Sequence, residues 1–175
     1  GTNAQLCIAP DCAPITLKSG RIVPFLVGSR SRWILPESDN HGFAAWAYQH
    51  ADELLGLGPG HHFGEWWGLG IQRNYGLREK RLSLFNVKKW NPSVLGLSPE
   101  PRETRPRPAC CGVIPVLYVG PFTTEAVNTT LANLKVSGSV ASPGYMNPEG
   151  VVILHVASGQ LFKKTLDNDE AKGSQ

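Results

Sequence analysis

Long apolar runs are missing from this 175-residue sequence. No stretch approaches the roughly 18–20 residues that a membrane-spanning helix needs, and no basic-then-apolar segment of the secretory kind opens it. Charge is sparse as well: 18% of residues are charged against 41% hydrophobic, which excludes the charge-rich, core-poor composition of a disordered chain. Neither sign of charge dominates, since the net value is +3. A polyanionic partner is therefore permitted but not demanded. Cysteine is limited to Cys7, Cys12, Cys110 and Cys111. Their spacing lacks the two-residue gaps of common zinc sites, and adjacent cysteines rarely bridge each other. All four are expected to be reduced thiols of a cytoplasmic protein. Internal repeats and low-complexity linkers are absent too, so residues 1–175 are expected to form one domain, as a monomer.

Glycine and proline, by contrast, are plentiful, at 19 and 14 residues, and they punctuate a series of short β-like runs. Gln5–Ile8, Phe25–Val27, His62–Trp67, Leu82–Val87, Val113–Val119 and Val151–Val156 read as strands. Two stretches read as helices. One follows Asp39 and Asn40, places Phe43, Trp46, Ala47, His50 and Leu54 on one stripe, and stops at Gly56 and Gly58. The other follows Thr123 and Thr124, carries Glu125 in its first turn, presents Val127, Leu131 and Leu134, and ends at Gly138. A Pro- and Arg-rich loop between Asn91 and Gly112 bears Arg102, Arg105 and Arg107. It is either a solvated loop or a set of phosphate contacts. The fold class is α+β, with mainly antiparallel sheets and a few helices.

Four segments carry chemistry. In His61-His62-Phe63-Gly64-Glu65-Trp66-Trp67, strand alternation sets Phe63, Glu65 and Trp67 on one face. A carboxylate between aromatics is costly to bury without a partner. It is either a ligand-binding group or a structural Glu paired with Arg73, Arg78 or Arg81. Gly64 leaves room for a ligand or for another backbone. Glu149 opens the apolar run Val151-Val152-Ile153-Leu154; such a group holds a metal ion or a sugar hydroxyl, or simply ends a strand in solvent. Alternation in Leu161-Phe162-Lys163-Lys164-Thr165 sends Lys163 and Thr165 one way and Lys164 the other. In Lys80–Val87 it puts Ser83, Phe85 and Val87 on one side, where Phe85 either stacks on a base or joins the core. His61 and His62, after the Gly58-Pro59-Gly60 turn, are expected to be structural or solvent-facing, and Trp66 and Trp67 to pack the sheet.

Taken in order, these segments resemble the motif series of covalent nucleotidyltransferases, the superfamily of RNA ligases, DNA ligases and mRNA capping enzymes. Gly1-Thr2-Asn3-Ala4 is similar to the tail of the Lys-x-Asp-Gly motif whose lysine attacks a nucleotide. Gly28-Ser29-Arg30-Ser31-Arg32-Trp33 is similar to the arginine-bearing segment after it. Phe63-Gly64-Glu65 resembles the third motif, Leu84-Phe85-Asn86-Val87 the adenine-stacking one, and Glu149-Gly150-Val151-Val152 the fourth. Lys163-Lys164-Thr165 stands where a Lys-x-Lys motif belongs. The order holds from Gly1 to about Asp169, and the run through Trp66, Trp67 and Arg73 is most similar to bacterial and phage ATP-dependent RNA ligases.

The resemblance implies a nucleotidyltransferase (ATP-grasp-like ligase adenylation) domain over residues 1–175, truncated at its N-terminus just past the nucleophilic lysine. It implies ATP and Mg²⁺ (or Mn²⁺) as cofactors, with ATP or AMP and the 5′-phosphate and 3′-hydroxyl ends of RNA as partners. Glu65, Glu149 and Lys163 become the catalytic candidates, Glu149 also the metal ligand. Gly1, Thr2, Asn3, Arg30, Glu65, Phe85, Glu149 and Lys163 become the nucleotide contacts, and Arg32 and Lys164 phosphate or RNA contacts. The lysine and aspartate of the first motif are missing from the sequence. Thr165 occupies the second lysine position of the last, so either Lys164 substitutes through a bulge or one lysine suffices. The alternatives are a non-catalytic nucleotide- or RNA-end-binding module and a DNA ligase or capping-type enzyme.

Overall fold

The computed structural model describes residues 1–98 and 105–166. It divides into two compact units, Gly1–Ile114 and Pro115–Gln175. Arg102 lies outside the described residues.

The first unit is organised on a six-stranded sheet. Its strands are β1 (Thr2–Ile8), β4 (Phe25–Gly28), β5 (Trp33–Ile34), β6 (Gly60–Gly68), β7 (Lys80–Leu84) and β8 (Cys111–Val113), in the spatial order β5-β4-β1-β6-β7-β8. Every pair is antiparallel except β7–β8. A small hairpin of β2 (Ile15–Thr16) and β3 (Ile22–Val23) stands beside it. The mixed α+β class with mostly antiparallel sheets is thus as the sequence patterns imply.

Alternation along β1 explains where the core sits. Ala4, Leu6 and Ile8 point to one face and are almost fully buried. Phe25, Val27, Ile34, Trp66, Leu82 and Leu84 join them from neighbouring strands. Helices α1 (Phe43–Gln49) and α2 (Ala51–Leu54) close that face with Phe43, Ala44, Ala47, Tyr48, Ala51 and Leu54. Trp66 anchors the contact, its ring 5.3 Å from that of Phe43 and 4.9 Å from that of Trp46. The expected single helix is broken at His50, whose backbone leaves the helical region. Its start is capped from a distance: the Asp39 carboxylate accepts from the amides of Ala44 (2.7 Å) and Ala45 (2.9 Å), satisfying donors that have no partner within the helix.

Three expectations are corrected. The strand over Leu82–Val87 ends at Leu84, because Asn86 caps the short helix α3 (Val87–Trp90) through the Lys89 amide; Phe85 and Val87 therefore both lie outside the strand whose alternation was to set them beside Ser83. The strand over Val113–Val119 is only Cys111–Val113; Ile114 still donates to the Leu84 carbonyl, but Pro115 has no amide hydrogen to continue the ladder. Nor are all four cysteines free thiols. The turn through Ala9-Pro10-Asp11 brings the Cα of Cys12 to 5.8 Å from that of Cys7, and the two form a disulfide. Spacing arguments centred on zinc motifs and on the adjacent pair overlook a bridge closed by a tight turn. Cys110 and Cys111 remain free.

In the second unit, α4 (Thr124–Ser137) starts as expected, with Thr123 Oγ1 accepting from the Ala126 amide, and ends at Gly138 with φ +77°. Leu131 and Leu134 are its buried positions. Strands β9 (Gly150–His155) and β10 (Gln160–Thr165) form an antiparallel hairpin. Among the described residues, no helix is long and apolar enough to cross a membrane.

His62 is buried on the core face of β6 and donates from Nε2 to the Gly58 carbonyl at 2.8 Å. Burial, together with the charges of Lys89 and His61, holds its pKa below the ordinary 6.5. The unfolded chain then binds more protons as pH falls below that value. The associated stability is fully present above pH 6.5 and is lost as pH falls through the folded-state pKa. Urea midpoints measured against pH are expected to fall in this range for the native chain and to flatten for His62→Gln. An unchanged slope in the variant would rule His62 out as the source.

Candidate functional site

The face of the six-stranded sheet opposite the core is built by the same alternation. Registers place Asn3 opposite Glu65 and Glu65 opposite Ser83, with Gly112 next to Ser83, in one row across four strands. The adjacent row runs Trp33, Gly28, Gln5, Phe63. Trp67 and Arg81 form the row on the other side of Glu65. Phe63, Glu65 and Trp67 therefore share a face, as alternation along the strand implies. Polar groups lie in the middle, and aromatic rings border them.

Exposure differs along this face. Phe63 is 52% exposed and Trp33 46%. Trp67 is buried: its indole N–H donates to Ser83 Oγ at 2.9 Å and its ring meets Tyr75 edge-on. The Glu65 side chain is about one-third exposed, its Oε1 3.7 Å from the Gly1 nitrogen. Gly1 lies so close over this carboxylate that a Cβ there would collide with it. Arg81, one of the partners considered for Glu65, is held by Glu79 at 2.7 Å. Gly28 serves packing, since a Cβ would come within 2.9 Å of both Gln5 and Trp33. Gln5 in turn donates from Nε2 to the Ser29 carbonyl at 2.6 Å and ties the β4–β5 turn to the sheet. That turn carries Arg30 and Arg32, both exposed; Arg32 donates to the Ser38 carbonyl.

Thr2 stands on the other face of β1, where its hydroxyl accepts from Asn40 at 3.3 Å. Phe85 follows β7 directly, 37% exposed, its amide donating to the Phe63 carbonyl. Asn3, Glu65 and Gly1 thus come together, with Phe85 at the end of the neighbouring strand, while Thr2 does not join them.

Glu149, Lys163 and Lys164 belong to the second unit. Glu149 immediately precedes β9, its carbonyl accepts from the Leu166 amide, and its carboxylate pairs with Lys163 Nζ at 2.5 Å. Pairing from Gln160–His155 to Thr165–Gly150 is uninterrupted, so no bulge turns Lys164 toward the side of Lys163. Lys164 instead reaches Asn128 of α4 at 3.5 Å. Thr165 lies opposite Gly150, where a Cβ would collide with the Lys164 carbonyl. Both partners of the Glu149–Lys163 pair are partly exposed, a setting in which an ion pair adds about 0–1 kcal/mol and exchanges readily.

Two groupings are not signalled by the sequence: Gln5, Trp33 and Ser83, which enter the open face through cross-strand register, and the trio Cys7, Cys12 and His61. His61 sits opposite Cys7 in the β1–β6 register, its Nε2 3.3 Å from Cys7 Sγ. No run within one strand signals either grouping.

Gly64 admits a backbone, not a ligand. It faces the core, and a Cβ there would come 2.6 Å from the Ser83 carbonyl oxygen and 3.0 Å from Leu82. Gly64→Ala is expected to lower stability by about 1–3 kcal/mol through forced separation of β6 from β7, read as a reduced denaturant midpoint. An unchanged midpoint would show that the strands yield without cost. Compared with known proteins, the chain matches no family model, no curated protein and no solved structure.

Proposed function

We propose that residues 1–175 are the nucleotide-binding part of an ATP-dependent RNA ligase, with the nucleoside held on the open face of the six-stranded sheet. The observation supporting it is the row Asn3–Glu65–Ser83 with the aromatic rings of Phe63 and Trp67 on either side. A partly exposed carboxylate beside an amide and a hydroxyl suits the hydroxyls of a ribose. An exposed aromatic suits a base, where stacking is worth about 1–3 kcal/mol. Glu65 is assigned to the ribose and Phe85 to adenine. Gly1 and Asn3 border the sugar, and Thr2 supports that end of β1 through Asn40. Arg30, with Arg32 beside it, is assigned to the ribose or the 5′-phosphate end.

The resemblance alone assigns Lys163 to the α-phosphate, Lys164 to an additional phosphate or RNA contact, and Glu149 to Mg²⁺ or Mn²⁺; these three residues belong to the second unit. One carboxylate plus phosphate oxygens is what such an ion takes from a protein site, and the exposed Lys163 partner of Glu149 is exchangeable. When bound, the ion neutralises charge on the phosphates and orients the leaving group.

In the reaction so proposed, a lysine attacks the α-phosphate of ATP, forming lysyl-AMP and releasing pyrophosphate. AMP passes to an RNA 5′-phosphate, and a 3′-hydroxyl then displaces it to seal the strand. The residues here contribute positioning and charge neutralisation. Residues 1–175 hold no Lys-x-Asp-Gly sequence, so on this reading they bind the nucleotide without forming an adduct. A cytoplasmic setting, where ATP and RNA ends meet, goes with this function.

Equilibrium binding of ATP to residues 1–175 tests it. Saturable binding is expected, weakened about tenfold or more by Glu65→Ala, which removes hydrogen bonds to a charged group. Phe85→Ala is expected to weaken it about tenfold through lost stacking. No label from α-labelled ATP should become covalently attached. Absence of saturable binding, or variants that bind as well as the native chain, would sink the assignment.

A further inference from the structure

At the end of β1 away from Glu65, three potential ligands converge that the proposed function does not use. Cys7, fully buried, and His61, exposed, are cross-strand partners on the open face. The turn after β1 returns Cys12 to the same point. One ligand atom from each of Cys7, Cys12 and His61 lies within 4.8 Å of the other two. The His61 ring is held against Phe63, centroids 6.2 Å apart and 20° from parallel, so its Nε2 stays directed at Cys7 at 3.3 Å.

We propose that the dithiol form of this turn is a binding site for Zn²⁺ or a metal of similar softness, and that the Cys7–Cys12 disulfide is its closed state. Two sulfurs and an imidazole are the donor set such an ion prefers. With Zn–S near 2.3 Å and Zn–N near 2.0–2.1 Å, ligand atoms of a tetrahedral site stand about 3.6–3.8 Å apart. The 3.3 Å between Cys7 Sγ and His61 Nε2 needs only a small adjustment to reach that. The fourth position falls to water. Opening is thiol–disulfide exchange: an external dithiol gives up two electrons and two protons, becomes a cyclic disulfide, and leaves Cys7 and Cys12 as thiols. Metal binding then displaces both protons.

The other close cysteine pair is a poorer competitor. Cys110 and Cys111 have their sulfurs 3.9 Å apart, but burial raises the pKa of both thiols and disfavours thiolate. The described residues offer no third ligand beside them in a group of this kind.

The test uses the whole 175-residue chain, reduced with a phosphine, freed of metal and titrated with Co²⁺ as a spectroscopic stand-in. One equivalent is expected to produce a thiolate charge-transfer band and tetrahedral d–d absorption, both abolished by Zn²⁺. The unreduced chain should produce neither. Cys12→Ser, at a half-buried position, and His61→Ala, at an exposed one, should each weaken Co²⁺ binding at least about tenfold. A second readout needs no variant: Zn²⁺ should protect Cys12 of the reduced chain from alkylation, followed by peptide mass. No bands with the reduced chain, bands undiminished in Cys12→Ser, or no protection of Cys12 would each overturn the proposal.

Discussion

The double pairing of β1 is the constraint on which the first unit depends. Seven residues stand in register with β6 on one side, and four of them with β4 on the other. With both edges used, β1 has no freedom to slip, because a shift of one residue would exchange its two faces. Ala4, Leu6 and Ile8 must then meet Gly64, Val27 and Phe25, while Asn3, Gln5 and Cys7 must meet Glu65, Phe63 and His61. The core and the open face are consequences of a single register.

The core side also stabilises the polar side. Gly64 is required there by the approach of the β7 backbone, and that approach places Ser83 beside Glu65 and under the Trp67 N–H. Gly28 lets Gln5 and Trp33 pack over β4, and Gln5 then fixes the turn carrying Arg30 and Arg32. Small residues at strand positions thus bring polar and aromatic side chains close together without burying their charges, whose desolvation would be costly.

Much of this was legible locally. Thr123 with Gly138 bounds a helix wherever it packs, because caps satisfy backbone groups next to them in sequence. The alternation of Phe63, Glu65 and Trp67 needed only the knowledge that a strand is present. The errors lie where a local signal met a competing one. An apolar run through Leu84 and Phe85 resembles a strand until Asn86 caps the next turn. A β-branched run from Val113 loses its ladder at Pro115. Lys163 and Lys164 were separable by alternation, but the partners Glu149 and Asn128 come from a strand end and a helix.

The sequence by itself determined the middles of the main strands, the helix Thr124–Ser137, and which positions along each strand share a face. These depend on backbone sterics and on hydrogen bonds between near neighbours. Only the tertiary structure decided that Asn3 meets Glu65, that Ser83 completes the row, and that Cys7 finds Cys12 around a turn and His61 across a strand pair. Those pairings span up to 62 residues, between Asn3 and Glu65. They are selected by burying Trp66 and its neighbours in one core, an energy that no single segment carries.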